Sequence, residues 1–260
     1  SNDIMLLSRG GSDITASFLA YTNDATCYEN FSDVSGLFSA SPSIIDAPKH
    51  IDEISYIEVR ELSYRGASVF HPEAIIPSSK KDIPIVILNT FNPKEKGTTI
   101  SKDAPKDNGI VTAIAGKEHF TVFNISKDKQ YSKVKILTEI LTLLSRYHIE
   151  IEHIPSGIDS FSVIVDTSEI GNNKLSIMNE LHQIEGITSV GTEENLALVA
   201  IVGRNMANTP GVAGKIFGAL GKEQVNIKVI AQASTELSVI VGVDGKDYQK
   251  AIKAIYNVFF

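Results

Sequence analysis

The chain repeats itself. Residues 120–125, Phe-Thr-Val-Phe-Asn-Ile, match residues 196–201, Leu-Ala-Leu-Val-Ala-Ile, and the match continues at the same spacing of 76 positions. Ile136, Ile140, Leu141 and Leu144 fall on Val212, Ile216, Phe217 and Leu220. Ile151 and Ile154 fall on Ile227 and Ile230, and Ser-Val-Ile-Val at 162–165 recurs at 238–241. Apolar residues three or four apart mark helices and short β-branched runs mark strands. Each copy therefore reads strand, helix, strand, strand, helix, with second helices over 174–184 and 247–259. The first copy goes on to a fourth strand at 187–191; the second reaches Phe260 without one.

A βαββα unit without its last strand has an open sheet edge or a gap in its core. Residues 110–116 precede the first copy and belong to neither. They are the economical source of the missing strand, which makes the second unit discontinuous and inserts the first unit into it. The expected architecture is a pair of intertwined ferredoxin-like βαββαβ domains, over 118–192 and over 110–117 plus 193–260.

The first 91 residues follow a different rule. Residues 12–21 carry Ile14, Phe18 and Tyr21 at helical spacing, with Ser12 or Asp13 as the N-cap. Residues 26–31 read as a short strand, 54–65 as a helix ending at Gly66, 73–81 as a short helix limited by Pro77, and 83–88 as a buried strand. Alternating strands and helices predict an α/β layer with a mostly parallel sheet. Residues 92–109 are polar, contain two prolines and show no periodicity, so they read as a linker.

Composition narrows the function classes. With 260 residues, 43% hydrophobic and 21% charged, the chain is an ordinary globular sequence that needs no staple to fold. A net charge of −7 argues against a nucleic-acid partner. The longest apolar run, 196–202, is far short of the ~20 residues that cross a bilayer. Cys27 is the single cysteine, so no internal disulfide forms and a cytoplasmic setting is expected. His148 and His153 lack a cysteine pair, so no metal site is expected. Cys27 has no basic neighbour to mark it as a nucleophile, and His71, before Pro72, reads as a helix-start residue.

Three stretches can carry chemistry, and each also has a plain structural reading. Ser-Arg-Gly-Gly-Ser-Asp at 8–13 precedes a helix. Glycines and free N–H groups there can receive an anion, with Arg9 forking a carboxylate or phosphate and Asp13 holding an ammonium. The same residues also make a glycine turn with a cap. Asn-Phe-Ser-Asp-Val-Ser-Gly at 30–36 follows a strand, where open α/β sheets bind ligands. Ser32 and Asp33 can contact a nucleotide, or form an ordinary turn. In the repeats, the turns at 155–159 and 231–235 and Thr-Pro-Gly at 209–211 can frame a small-ligand pocket, or serve as plain scaffold.

Taken in order, Ser-Arg-Gly-Gly-Ser-Asp-Ile-Thr, Tyr-Glu-Asn-Phe-Ser-Asp-Val-Ser-Gly, Glu-Leu-Ser-Tyr-Arg-Gly-Ala-Ser-Val-Phe-His-Pro-Glu-Ala and Asn-Thr-Phe-Asn-Pro-Lys-Glu-Lys-Gly-Thr closely resemble the aspartokinase family over essentially the whole chain. The repeats look like its two regulatory ACT domains, and Tyr-Glu-Asn-Phe at 28–31 is similar to the lysine-responsive monofunctional bacterial subclass. The resemblance implies a parent enzyme that transfers the γ-phosphate of ATP, with Mg2+, to the β-carboxylate of L-aspartate. It implies no tightly bound cofactor, a homodimer through the ACT domains, and feedback by lysine in preference to threonine. Arg9, Ser12 and Asp13 match positions that hold aspartate. Ser32 and Asp33 match a Thr-Asp pair at the nucleotide, with Phe38 and Ser68 beside it. Phe38, Ser43 and Ser68 replace the commoner Tyr, Arg and Lys, which removes positive charge near the phosphates.

The family's Lys-Phe-Gly-Gly-Thr phosphate-binding motif does not occur in these 260 residues. The chain therefore reads as the C-terminal part of the kinase domain followed by the regulatory pair, and is expected to be inactive by itself. The alternatives are a non-catalytic amino-acid-binding regulatory protein, or a threonine-responsive member. The effector is expected at the matching strand starts, Glu150, Ile151 and Glu152 in copy one and Asn226 and Ile227 in copy two. Glu152 is acidic where its partner Lys228 is basic, which suits a lysine ammonium. The plain reading is that Glu150 and Glu152 line the wet face of a half-buried strand.

Overall fold

The computed structural model describes residues 10–67, 70–105 and 109–260. The first unit contains α1 (Gly11–Thr22), β1 (Tyr28–Ser32), the short pair β2 (Leu37–Phe38) and β3 (His50–Ile51), β4 (Glu53–Ser55), α2 (Tyr56–Tyr64), α3 (Ile75–Ser79), β5 (Ile85–Asn89) and β6 (Thr98–Ser101). Its sheet runs β1-β5-β6-β4. The β1–β5 and β4–β6 pairs are parallel and the central β5–β6 pair is antiparallel. Ile54, Ile85, Ile87 and Ile100 supply its buried centre.

Two boundaries move from their expected places. The helix expected from residue 54 begins at Tyr56, because Ser55 and Glu58 close a reciprocal capping box and leave Ile54 in β4. The expected linker 92–109 contains β6, a full member of the first sheet. Its Thr-Thr-Ile-Ser sequence alternates inward and outward, with Thr98 and Ile100 buried. Thr98 stays inside because its hydroxyl donates to Ile51 O at 2.6 Å while accepting from the Leu37 N–H at 2.7 Å. A threonine at a core position hides the alternation from a hydropathy reading.

The second part is one six-stranded antiparallel sheet in the order β11-β12-β10-β7-β9-β8. Its elements are β7 (Ala113–Lys127), α4 (Lys133–Arg146), β8 (Ile151–His153), β9 (Ser160–Asp166), α5 (Thr167–Ile170), α6 (Lys174–Gln183), β10 (Ile187–Val202), α7 (Val212–Lys222), β11 (Ile227–Gln232), β12 (Ser238–Asp244) and α8 (Tyr248–Phe259). The strands expected at 110–116 and 120–125 are a single strand, β7, and those expected at 187–191 and 196–201 are also one, β10. The two long strands pair along their length, Ala113 with Val202 and Lys127 with Ile187. Register shifts around Leu196 and left-handed residues at His119 and Asn195 bend the ladder midway without breaking it.

Each half of that ladder belongs to a different unit. Residues 113–116 pair with 199–202, giving the second copy an outer strand, and 120–127 pair with 187–196 in the first. Both halves have the ferredoxin-like order. One face of each half is covered by its own helices. Ile136, Ile140, Leu144, Ile177 and Leu181 pack on Phe123, Phe161 and Val163. Ile216, Leu220, Ala251, Ile252 and Ile255 pack on Val199, Ile201 and Val241. The sequence-matched helix positions thus share one role, except that Leu141 faces solvent.

The other face of the central strands packs on the first unit. Ala113, Ala115, Phe120, Leu196, Leu198 and Ala200 join Ile54, Val59 and Leu62 in one core. The end of β10 is therefore buried on both faces, which explains why 196–202 is an unbroken apolar run rather than an alternating one.

A buried carboxylate sits in this junction. Glu58, 1% exposed, accepts from Ser55 Oγ at 2.5 Å, Thr112 Oγ1 at 2.7 Å and the Arg204 N–H at 3.1 Å. Arg204 Nε lies 2.9 Å from Glu58 Oε2, but among the described residues its N–H finds no aligned acceptor, so this contact is an ion pair rather than a hydrogen bond. The guanidinium also donates to Ala104 O and Pro105 O. Burial by itself would raise the Glu58 carboxyl; the bonds from Ser55, Thr112 and Arg204, with the Arg204 charge, outweigh it and hold the pKa below its ordinary 4.5.

Glu58→Gln should destabilise the chain by about 3 kcal/mol, since it leaves the Arg204 charge without its partner. The depressed pKa fixes the sign with pH: the Glu58 contribution is complete above pH 4.5 and is lost as pH falls below it. Urea unfolding at pH 7 and pH 4 tests both statements, and a variant within ~0.5 kcal/mol of the parent at pH 7 would refute them.

Candidate functional site

Helix α1 precedes β1 and runs back along it, so its N-terminus lies at the C-terminal end of β1. Asp13, in the first turn, accepts from Asn30 Nδ2 at 3.2 Å, and the same amide donates to the Tyr28 hydroxyl at 2.9 Å. The N-cap is Gly10, not Ser12 or Asp13, and among the described residues no side chain caps the helix. Gly10 has φ of 82°, and a Cβ there would fall 2.4 Å from the His71 ring. Glycine is required for both reasons. His71 caps the turn at Pro72–Ala74, accepting from the Glu73 N–H at 3.3 Å. Ser12 is exposed, and Arg9 lies outside the described residues.

β1 and β5 end side by side, Ser32 opposite Asn89. Ser32 Oγ donates to Asp33 Oδ1 at 3.1 Å, its carbonyl accepts from the Thr90 N–H at 2.8 Å, and Asn89 Nδ2 donates to Ser35 Oγ at 2.8 Å. The structure thus gathers Asp13, Asn30, Ser32 and Asn89 at the C-terminal ends of two parallel strands, beside a helix N-terminus that no side chain caps. Such an edge offers donors to anionic groups and a carboxylate to an ammonium. Asn30 and Asn89 were not singled out from the sequence; an asparagine near the end of each parallel strand was the available signal.

Phe38 stands apart, beyond the turn that follows Asp33. Its ring meets His50 edge-on at 5.4 Å. His50 is fixed by Asp52 at Nδ1 and Ser35 O at Nε2, both at 2.9 Å. Ser43 is exposed and, among the described residues, bonds only to its neighbour Ser41. Ser68 lies outside the described residues.

The expected effector residues do not come together within one chain. Ile151 and Glu152 are on β8, with Glu150 just before it, whereas Asn226 precedes β11 and Ile227 opens it. β8 and β11 are opposite edges of the six-stranded sheet, about 24 Å apart at the usual strand spacing. Glu152 already has a cation: Arg65 Nη1 donates to its Oε2 at 2.9 Å and lies 3.5 Å from His153 Nε2. Arg65 Nε is buried without a partner among the described residues. The Glu150 N–H donates to Glu169 Oε2 at 2.7 Å, and Lys228 pairs with Glu193 and Asp244. The turn residues of the second copy do meet. Thr209, Gly211, Gln232 and Glu236 line a cavity of about 230 Å³ at the start of α7, where Glu236 accepts from the Asn208 N–H at 2.8 Å.

Burial, and then the Arg65 charge, press the His153 pKa from 6.5 down to about 4. The folded chain keeps this ring neutral while the unfolded chain protonates it below 6.5, so stability falls as pH drops from 6.5 to about 4. After allowance for solvent screening the loss is about 2 kcal/mol. His153→Gln should flatten this part of the stability–pH curve. Denaturant midpoints at pH 7.5, 6 and 5 decide it, and parallel curves for parent and variant would refute the assignment.

The amino acid kinase family model matches residues 1–89 and the ACT domain model matches residues 199–259. Aspartokinase 3 of Bacillus subtilis is 38% identical over 99% of the chain. The crystal structure of Clostridium acetobutylicum aspartate kinase superposes with a TM-score of 0.93 at 45% identity, covering 99% of this chain and 60% of that one. Aspartokinase III of E. coli, solved in complex with aspartate and ADP, superposes at 0.85 with 28% identity, covering 98% of this chain and 57% of that one. The same enzyme in complex with lysine and aspartate superposes at 0.83. The chain spans 57% of the length of the Bacillus relative. Kinase and regulatory segments match in the same order, and over 99% of its length the chain is similar to the C-terminal part of aspartokinases.

Proposed function

We propose that the chain is the C-terminal part of an aspartate kinase whose complete form transfers the γ-phosphate of magnesium–ATP to the β-carboxylate of L-aspartate. The carrying observation is the cluster of Asp13, Asn30, Ser32 and Asn89 at the C-terminal ends of β1 and β5, next to the uncapped start of α1. An aspartate ligand carries two carboxylates and one ammonium. Helix N–H groups and Arg9 suit the carboxylates, and Asp13 suits the ammonium. Ser32 and Asp33, with Phe38 and Ser68, form the nucleotide side. Support comes from E. coli aspartokinase III, which has been solved with aspartate and ADP. We assign residues 1–91 together with β6 to the kinase part, 118–192 to the first ACT domain, and 110–117 with 193–260 to the second. The setting is the cytoplasm, in keeping with the single thiol.

Phosphoryl transfer depends on positioning and on neutralising phosphate charge. These 260 residues lack the Lys-Phe-Gly-Gly-Thr motif that the family uses for that purpose. The chain alone should therefore form no aspartyl phosphate when mixed with aspartate and ATP, as read by hydroxamate trapping. Joined to an upstream segment carrying that motif, it should form the product, and Asp13→Ala should lower the rate at least ~100-fold. Product from the chain alone, or full activity in the variant, would contradict the assignment.

The regulatory half is proposed to be a homodimer that binds an amino-acid effector, lysine in preference to threonine. β8 and β11 are open edges, and pairing with a second copy covers them. Glu150–Glu152 and Asn226–Ile227 meet only if edges of different protomers approach each other. Lysine binding at Glu152 must compete with Arg65, which ties β8 to the C-terminal end of α2. Displacing Arg65 would free the end of α2 from β8, which is a route from effector to the first unit. Support comes from the lysine complex of the E. coli relative. Light scattering should give a dimer mass, and lysine at a hundred times its Kd should stabilise the chain by about 2.7 kcal/mol in a thermal-shift series. The shift should shrink in Glu152→Ala; stabilisation by threonine alone, or a monomer mass, would overturn this reading.

A further inference from the structure

The short ladder that carries Phe38 is completed from outside the first unit. β2 pairs with β3, Leu37 opposite Ile51 and Phe38 opposite His50. The next pair along is Ser39 and Lys49. The Ser39 N–H donates to Lys49 O at 2.8 Å. An antiparallel pair of this kind normally returns a bond from the second N–H to the first carbonyl. Here both of those groups turn to the regulatory sheet. The Lys49 N–H donates to the Tyr256 hydroxyl on α8 at 3.1 Å, and Ser39 O accepts from the Ile114 N–H on β7 at 2.7 Å. One rung of a first-unit ladder is exchanged for two bonds to the second regulatory copy. Ser39 is fully buried, so its carbonyl depends on that bond for its satisfaction.

The residues beyond this rung take the same direction. Ala40 and Ile45 are buried in the core that α7 and α8 form on the regulatory sheet, with Val212, Ile216 and Ile252. Tyr256 packs against that core and stacks on Phe260 at 4.7 Å, which fixes its ring. Its hydroxyl also lies 3.5 Å from Ser39 Oγ. Residues 37–51 are therefore an arm of the first unit clasped by the second copy.

Both ends of the clasp lead to the ligand face. Phe38 immediately precedes Ser39. His50 immediately follows Lys49, meets the Phe38 ring edge-on, and through Nε2 holds Ser35 O at 2.9 Å. Ser35 closes the stretch that carries Ser32 and Asp33, and Asn89 holds its hydroxyl. A displacement of Lys49 thus reaches Phe38 and Ser35 together. Asp13 and Asn30, which bond to each other, take no part in these bonds. We infer that Tyr256 is a positioning residue for the nucleotide, through which the second regulatory copy sets the nucleotide side of the site. The inference rests on the assignment of Ser32, Asp33 and Phe38 to the nucleotide. It is independent of the tie between Arg65 and Glu152, which joins the first copy to α2.

Tyr256→Phe keeps the ring, its stacking and its packing and removes only the acceptor. In the chain itself, hydrogen exchange should quicken about ten-fold at the Lys49 amide and rise over residues 37–51, with the amides of β12 unchanged. In the enzyme completed by the upstream segment, the KM for ATP should rise about ten-fold, while kcat and the KM for aspartate stay within about two-fold. A merely structural role would lower stability without separating the two KM values. Unchanged exchange over 37–51, exchange that quickens across the whole chain, or an equal change in both KM values would each overturn the inference. No phosphate transfer by the completed parent enzyme would instead refute the phosphotransfer reading, and the exchange pattern would then decide by itself whether α8 holds the arm.

Discussion

Two strands hold this molecule together. β7 and β10 each run through both halves of the regulatory sheet, and their antiparallel ladder is continuous from Ala113–Val202 to Lys127–Ile187. The second half cannot close its sheet without residues 113–116, the start of the strand that continues into the first copy. The halves therefore cannot separate without breaking a ladder, and the sheet transmits displacement as one body. The same strands present their second face to the first unit, where Ala113, Ala115, Leu198 and Ala200 meet Val59 and Leu62. Small residues at those positions let α2 lie close to the sheet.

Helix α2 and the residue that caps it join the first unit to the regulatory sheet at two places. Near its start, Glu58 collects Ser55, Thr112 and Arg204, and so joins β4 to both sides of the approach to the regulatory sheet. Just past its end, Arg65 reaches Glu152 and His153 on the edge strand β8. The first joint is buried and its carboxylate is held ionised, which makes it a fixed pivot. The second is half-exposed, and burial raises the Glu152 pKa against the pull of Arg65 and Lys117, so its carboxylate is the less firmly held of the two. A pivot at one end and a weaker tie at the other is an arrangement through which the proposed effector at the sheet edge would act on the proposed ligand face of the first unit.

The proposed ligand face follows from the direction of the chain. A helix that returns along a parallel strand must bring its N-terminus to the strand's C-terminal end, so α1 and β1 deliver Asp13 and Asn30 to one place whatever their exact sequence. What the sequence adds is chemistry: a short amide on each of the two strands, a carboxylate in the first turn, and a glycine at the cap that clears the His71 ring.

Much of this was legible from residue order alone. The repeat, the borrowed strand, the alternation of the first unit and the family all rest on local periodicity and ordered motifs, which a sequence displays directly. β6 was missed because Thr98 occupies a core position, and the helix start at Tyr56 shifted because a capping box outweighs apolar spacing. Tertiary structure decided the rest. Glu152 read as a free acid at a pocket edge, but its partner Arg65 lies 87 positions earlier. The two effector segments match at one offset and still sit on opposite edges, because copies that share a sheet place their equivalent outer strands facing away from each other. Glu58 and Arg204 likewise acquire their roles from a contact between distant segments. Periodicity reports which face a residue turns inward; it carries no record of which distant residue waits there, and that is set only when the sheets and helices pack.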